Sequence, residues 1–306
     1  MALSITSTSS PLNTNLQHHL LPGTGNPLSL FFPQTHFQLK RGPSYAINAS
    51  LSASKEWVLK EFHARKALKI ISGLQNFDEE NVAAVVTAAE KGGATHVDIA
   101  CEPDLVKLAV NITSLPICVS SVDPEAFLAA VEAGAKMVEI GNYDSFYEFG
   151  RIFPAEEILQ LAIETKRILP LITLSVTVPH TLRLPDQVKL AELLECEGVD
   201  IIQTEGGKYS NPSEPGVLGL VEKATPTLAA AYSISRAVKI PVICSSGLSA
   251  VTAPMALAAG ASGVGVGSAV NKLNDVVAMI AEVRSIADAI GLPVKSPAGD
   301  VRSVHF

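Results

Sequence analysis

Residues 55–306 repeat one pattern eight times: a short apolar run of strand length, then a longer segment patterned as a helix. The apolar runs Leu68–Ser72, Thr95–Ala100, Pro116–Ser120, Met137–Ile140, Ile172–Val178, Val199–Gln203, Val242–Cys244 and Gly263–Val266 predict strands. Between and after them, Asp78–Lys91, Pro103 to Asn111, Asp123 to Gly134, Ala155–Ile168, Pro185–Glu197, Thr227–Val238, Thr252–Ala259 and Asp275–Ile290 predict helices. A short helical lead covers Trp57–Arg65. Proline or aspartate recurs at helix starts and glycine at helix ends. Strands such as Val242–Cys244 and Gly263–Val266 are apolar without alternation, as parallel strands covered on both faces should be. Eight strand-then-helix units in ~235 residues, with no strand-only run, predict a single (β/α)8 TIM barrel. A doubly wound open sheet would want a glycine-rich turn after its first strand, and Ser72-Gly73-Leu74 does not supply G-x-G-x-x-G.

Within this pattern a few polar residues fall on otherwise apolar strands, and alternation says which way they face. Val97 and Ile99 suit the helix layer, so Asp98 points into the barrel, and the same argument turns Glu139 and Lys69 inward. Ser175 and Thr177 share the inner face of the fifth strand, with His180 just beyond its end. Catalysis in such barrels sits at the carboxyl ends of the strands. Lys69, Asp98, Glu139 and His180 are therefore the candidate catalytic group, for proton transfer beside a carbonyl or a lysine Schiff base. An internal salt bridge satisfying a polar barrel floor is the competing reading for Lys69. In the sixth strand both parities of Gln203-Thr204-Glu205-Gly206-Gly207 mix polar with apolar, so facing is undecided. Ser120, Asn142, Thr177, Thr204 and Glu205 are further candidates for contact with a substrate, and Gly206 and Gly207 for lending amides to a phosphate.

Between Lys239 and Lys272 the chain carries no charge, which suits a membrane span by hydropathy alone. Pro241, Pro254 and the clustered glycines argue instead for strand, turn, helix, strand and turn. The turns at Ser245–Ser249 and Gly265–Ala269 would lie side by side after the last two strands, where barrels of this kind hold phosphate. The loops Asn142–Pro154 and Gly206–Pro215 are long enough to act as lids or as a homo-oligomer surface.

The net charge of -7 argues against nucleic acid, and 47% hydrophobic content suits a large aliphatic α/β core. Cys101, Cys118, Cys196 and Cys244 lack the spacing of a zinc site or a redox pair, so no metal is expected. Residues 1–54 contain no Asp or Glu and are rich in Ser and Thr, the composition of an organelle transit peptide. The barrel domain then covers residues 55–306.

Several blocks look alike to those of one family. Lys69-Ile70-Ile71-Ser72-Gly73-Leu74-Gln75-Asn76-Phe77-Asp78, Gly92 to Ala100, Ile117 to Val122, Met137 to Asn142, Ser175 to Thr181 and Ile202 to Gly207 resemble the hypothetical chloroplast reading frame twenty-three family. That resemblance strengthens the barrel reading and a plastid address for the leader, with the chloroplast stroma as the expected location; it supplies no activity. More broadly, Pro241-Val242-Ile243 with Ser245 and Gly247, a helix, then Gly260-Ala261 with Gly263-Val264 and Val266-Gly267-Ser268-Ala269, is similar to the phosphate grip of histidine- and tryptophan-biosynthesis isomerases, sugar-phosphate epimerases, thiazole synthase and flavin-mononucleotide oxidoreductases. By that likeness Ser246, Gly247, Gly267 and Ser268 would touch phosphate, and Ser246 stands where those barrels have the first glycine of a pair. The expectation is an enzyme acting on a small phosphorylated metabolite by isomerase, epimerase or lyase chemistry. A non-catalytic phosphometabolite-binding protein and an oxidoreductase using flavin mononucleotide are the alternatives.

Overall fold

The computed structural model describes residues 54–293, apart from 143 and 208–211 and the side chains of 144 and 145. All but the last residue of the expected leader lies outside the described residues, as do parts of both long loops. Residues 54–63 form helix α1. Eight strands follow: β1 (Ala67–Ile71), β2 (His96–Ala100), β3 (Ile117–Ser121), β4 (Met137–Ile140), β5 (Thr173–Thr177), β6 (Ile201–Thr204), β7 (Val242–Ser245) and β8 (Gly263–Val266). Each pairs in parallel with the next, and β8 returns to β1 with Ala67 opposite Gly263 and Lys69 opposite Gly265, closing the barrel. Closure leaves no sheet edge unpaired.

The helices run α2 (Glu79–Gly92), α3 (Pro103–Ile112), α4 (Phe127–Ala133), α5 (Asp144–Glu148), α6 (Ala155–Ile168), α7 (Leu184–Cys196), α8 (Gly216–Ala237), α9 (Ala253–Ala259), α10 (Ser268–Asn271) and α11 (Val276–Ala289). Local chemistry fixes their ends. Asp78 caps α2 by accepting from the Asn81 amide, and Gly93, at φ 90°, takes the left-handed turn that closes it. Strand residues of one parity, among them Leu68, Ile70, Val97, Ile99, Val138 and Val176, join the buried apolar layer that also takes in the helix residues Val82, Val86, Ala191 and Val283. Gly263 lets β8 close on β1, because a Cβ there would lie 2.6 Å from the Ala67 Cβ.

Inside, the amino-terminal end of the barrel is filled by Ala67, Cys118, Met137, Ile201 and Ile243, capped from below by Val58 and Phe62 of α1. His96 completes this stopper. Its Nε2 donates to the Val58 carbonyl at 2.9 Å and its ring lies 4.5 Å from that of Phe62. Burial lowers its pKa to about 4, so the imidazole is neutral and structural.

Two departures from the sequence reading have physical causes. The helix expected over Thr227–Val238 begins at Gly216 and runs through Pro226, a residue that removes a helical N–H. The proline is accommodated against the end of β6, where Gly206 has no Cβ to meet Pro226 Cβ or the Thr227 nitrogen. The short helices α5 and α10 lie in segments that read as loop and turn, too brief to show a helical period.

No helix among the described residues is long and apolar enough to cross a membrane.

Candidate functional site

The inward polar residues of the barrel form one connected group. Lys69 Nζ lies 2.5 Å from Glu139 Oε2 and 3.6 Å from Asp98 Oδ2, and none of the three side chains exceeds 1% exposure. Glu139 also accepts from Ser175 Oγ at 2.7 Å, Gln203 Nε2 at 2.7 Å and Thr177 Oγ1 at 3.4 Å. Ser120 Oγ donates to Asp98 Oδ1 at 2.7 Å. Burial works against the Lys69 charge, but Glu139 and then Asp98 outweigh it and hold the ammonium above the ordinary lysine range. A Schiff base needs a neutral amine, so this environment favours an electrostatic role over a nucleophilic one. Asp98, Cys118 and Glu139 bring donor atoms within 4.8 Å of one another. Lys69 Nζ already supplies the positive charge at that point, 2.5 Å and 3.6 Å from the two carboxylates, and burial followed by Asp98 raises the Cys118 thiol well above its usual range. Burial also raises Cys101 to about 12 and Cys244 to about 11, so neither is an activated nucleophile.

Above this floor, at the carboxyl ends of β6, β7 and β8, lies a cavity of about 180 Å³. Gln203, Glu205, Ser245, the Ser246-Gly247 turn and the Gly267-Ser268 turn line it. Ser246 has φ 82° and Gly247 φ 69°, so two successive residues occupy the left-handed region. The glycine expected at the first position is thereby explained: serine there carries a backbone cost of roughly 1–2 kcal/mol that glycine would not. Ser268 and Ala269 open α10, whose first amides have no acceptor within the helix. The Ser245 hydroxyl and the Gln203 side-chain oxygen are buried without a hydrogen-bond partner among the described residues. Gly265 keeps that space open, since a Cβ on it would fall 2.0 Å from Ser245 Oγ. A second cavity, of about 590 Å³, shares Ile71, Glu205, Gly267 and Ser268 with the first and extends over Gly73 to Lys272.

Glu205 lines both cavities, and its Oε2 lies 3.3 Å from His180 Nδ1. The imidazole packs edge-on against Tyr147, ring centres 4.7 Å apart, and the Tyr147 hydroxyl donates to Asn142 Oδ1 at 2.9 Å. Asn142 in turn donates to the Thr177 carbonyl, tying the loop after β4 to the end of β5. A carboxylate beside an imidazole at the mouth of a cavity can accept a proton and pass it on.

The expected residues thus divide. Lys69, Asp98, Glu139, Ser120 and Thr177 meet in the floor, while Ser246, Gly247, Gly267, Ser268 and Glu205 line the cavity. His180 stands beside Glu205, and Asn142 sits under Tyr147. Thr204 also lines the cavity, but its hydroxyl goes to the helix side, 2.7 Å from Thr227 of α8, because strand alternation sends it opposite to Gln203. Gly206 and Gly207 lie outside the lining of both cavities. Gly206 makes room for α8, and Gly207, at φ 71°, for the His180 ring, which a Cβ would approach to 2.8 Å. Gln203 and Tyr147 were not singled out by the sequence. Gln203 could have been, had the outward pairing of Thr204 been visible.

The fold is shared with solved structures. The (S)-3-O-geranylgeranylglyceryl phosphate synthase from Thermoplasma acidophilum, solved with sn-glycerol-1-phosphate, matches 76% of this chain and 96% of its own at TM-score 0.52 and 12% identity. A protein described as QR15, an aldolase, matches 73% and 94% at TM-score 0.51 and 23% identity. These likenesses establish the barrel. In sequence, the uncharacterized protein ycf23 of Porphyra purpurea is 38% identical over 233 residues, 76% of this chain and 88% of that protein. That of Cyanophora paradoxa is 43% identical over 227 residues, 74% and 93%. A model of the family described as protein of unknown function DUF561 matches residues 52–295, and with these relatives it establishes that the chain belongs to that family.

Proposed function

We propose that the protein is an enzyme acting on a small phosphorylated metabolite by isomerase, epimerase or lyase chemistry. The phosphate sits between the Ser246-Gly247 and Gly267-Ser268 turns, and Glu205 with His180 moves a proton at the adjoining carbon. The observation that carries this reading is the cavity over those turns, lined by Ser245, whose buried hydroxyl has no hydrogen-bond partner among the described residues. A native protein leaves few buried polar atoms unpaired without a reason. Lys272, on the wall of the wider cavity, adds a positive charge for an anionic substrate. Lys69, Asp98 and Glu139 serve as a charged platform that sets the orientation of Gln203 beneath the substrate.

Titration of the purified protein with inorganic phosphate, together with native mass spectrometry seeking a co-purified phosphorylated compound, tests the proposal. Absence of both would overturn it. A binding protein without turnover is the second reading, favoured by the complete internal pairing of Lys69 with Asp98 and Glu139. It would be upheld by a tightly bound phosphometabolite that is never converted.

The plastid stroma is the proposed location. The acid-free composition of residues 1–54 supports it, as does a family match that begins at residue 52, where that composition ends. A fluorescent protein carrying residues 1–54 should enter plastids; a cytosolic signal would refute the assignment.

A further inference from the structure

The side chain of Gln203 has only one chemically acceptable orientation. Glu139 Oε1 lies 2.7 Å from one end of the amide, and a carboxylate oxygen accepts but does not donate. The end facing it must therefore be the NH2 group, which also lies 3.1 Å from Thr177 Oγ1. With both of its ends thus assigned, the amide presents its oxygen elsewhere. That oxygen is buried, has no hydrogen-bond partner among the described residues, and belongs to a residue lining the same cavity as the two phosphate turns. An amide oxygen only accepts. Because the Lys69–Glu139 pair anchors the other end of the amide, Gln203 cannot turn over to suit a ligand without placing oxygen against oxygen.

Resting on the phosphate reading above, we infer that Gln203 is a specificity-determining residue that selects a hydrogen-bond donor on the atoms next to the phosphate. The substrate class is a hydroxylated or N–H-bearing phosphate monoester. An ester whose corresponding atoms are apolar leaves the Gln203 oxygen buried and unpaired, and sites built to hydrogen-bond a substrate hydroxyl discriminate strongly against analogues lacking it. The Ser245 hydroxyl, which can donate or accept, adds a second contact without setting the polarity of the first.

The test uses three probes in calorimetric titrations of the full chain: inorganic phosphate, glycerol 1-phosphate and propyl phosphate. The last two share a three-carbon chain and a charge, and differ in the two hydroxyls. Glycerol 1-phosphate is expected to bind at least tenfold more tightly than propyl phosphate. In Gln203→Met, which keeps the bulk and removes the acceptor, that ratio should fall to within about threefold while the affinity for inorganic phosphate stays as it was. Equal binding of the two esters by the unmodified protein, or an unchanged ratio in Gln203→Met, overturns the inference and leaves the phosphate site standing. Failure of all three probes to bind overturns the inference, and where no phosphorylated compound co-purifies either, it overturns the phosphate reading as well. Should Gln203→Met not fold, Ser245→Ala takes its place: retention of the tenfold preference in that variant assigns it to Gln203, and its loss transfers the selectivity to Ser245 and refutes the proposal.

Discussion

Glu139 accepts a hydrogen bond from Lys69 at 2.5 Å inside the barrel, with neither side chain reaching solvent. Breaking a buried pair leaves an uncompensated charge and costs about 3–5 kcal/mol, whereas removing both partners costs less than the sum. Lys69→Met, which leaves both Glu139 and Asp98 without a cation, should lower unfolding stability by that order, and Glu139→Gln, which leaves Lys69 beside Asp98, should cost less. The double variant should recover at least about 2 kcal/mol of the added losses. Urea unfolding of the four proteins checks it, and strict additivity would mean the two residues do not act as a pair.

His96 gives the protein an acid-sensitive foundation. Its pKa falls from the ordinary 6.5 to about 4 on folding, because burial disfavours the charged ring. The unfolded chain therefore binds a proton between those values and the folded one does not. Stability from the neutral ring is full above about pH 6.5 and is lost progressively down to about pH 4, on the order of 3 kcal/mol in all. His96→Gln, which cannot take up the proton, should show a smaller drop in stability than the parent between pH 7 and 4.5. Parallel drops would remove His96 from the account.

Glu205→Gln keeps the shape of the cavity wall and removes the base. Its affinity for inorganic phosphate should stay within about threefold of the parent, while turnover of the phosphorylated substrate, once identified from the co-purified ligand, should fall by about 100-fold or more. Unimpaired turnover would return the proton-transfer role to Asp98 or Glu139.

Gly265→Ala places a methyl group 2.0 Å from Ser245 Oγ and 3.1 Å from Ile71 Cδ1. Overpacking of this kind costs about 1–3 kcal/mol, and the shifted serine should weaken phosphate binding. Adding Ser245→Gly removes the first clash and should restore part of the stability, measured by thermal unfolding. No recovery would place the strain on Ile71.

The barrel was legible because each strand and each helix carries its own period, and closure needs only their number. The facing of Lys69, Asp98 and Glu139 was legible for a related reason: each is a polar residue between apolar neighbours whose destination is plain. β6 defeated that logic. Gln203 and Thr204 are both polar and point opposite ways, the first to Glu139 and the second to Thr227 more than twenty residues on. Only the packing of α8 distinguishes them. Depth was equally hidden. Sequence pattern gives a side to Glu139 but not its distance from water, and so could not tell that it lies beneath Gln203 while Glu205 reaches the cavity. Tyr147 comes to His180 through a loop with no period to read.

The stopper made by Val58 and Phe62 is drawn from α1, ahead of every strand, yet it lodges against strands as late as β7. A recombinant chain trimmed at residue 54 retains it; one trimmed at residue 66 would open the bottom of the barrel and wet Met137, Ile201 and Ile243. The earliest helix of the barrel therefore has to wait for nearly the last strands before its own apolar side is covered.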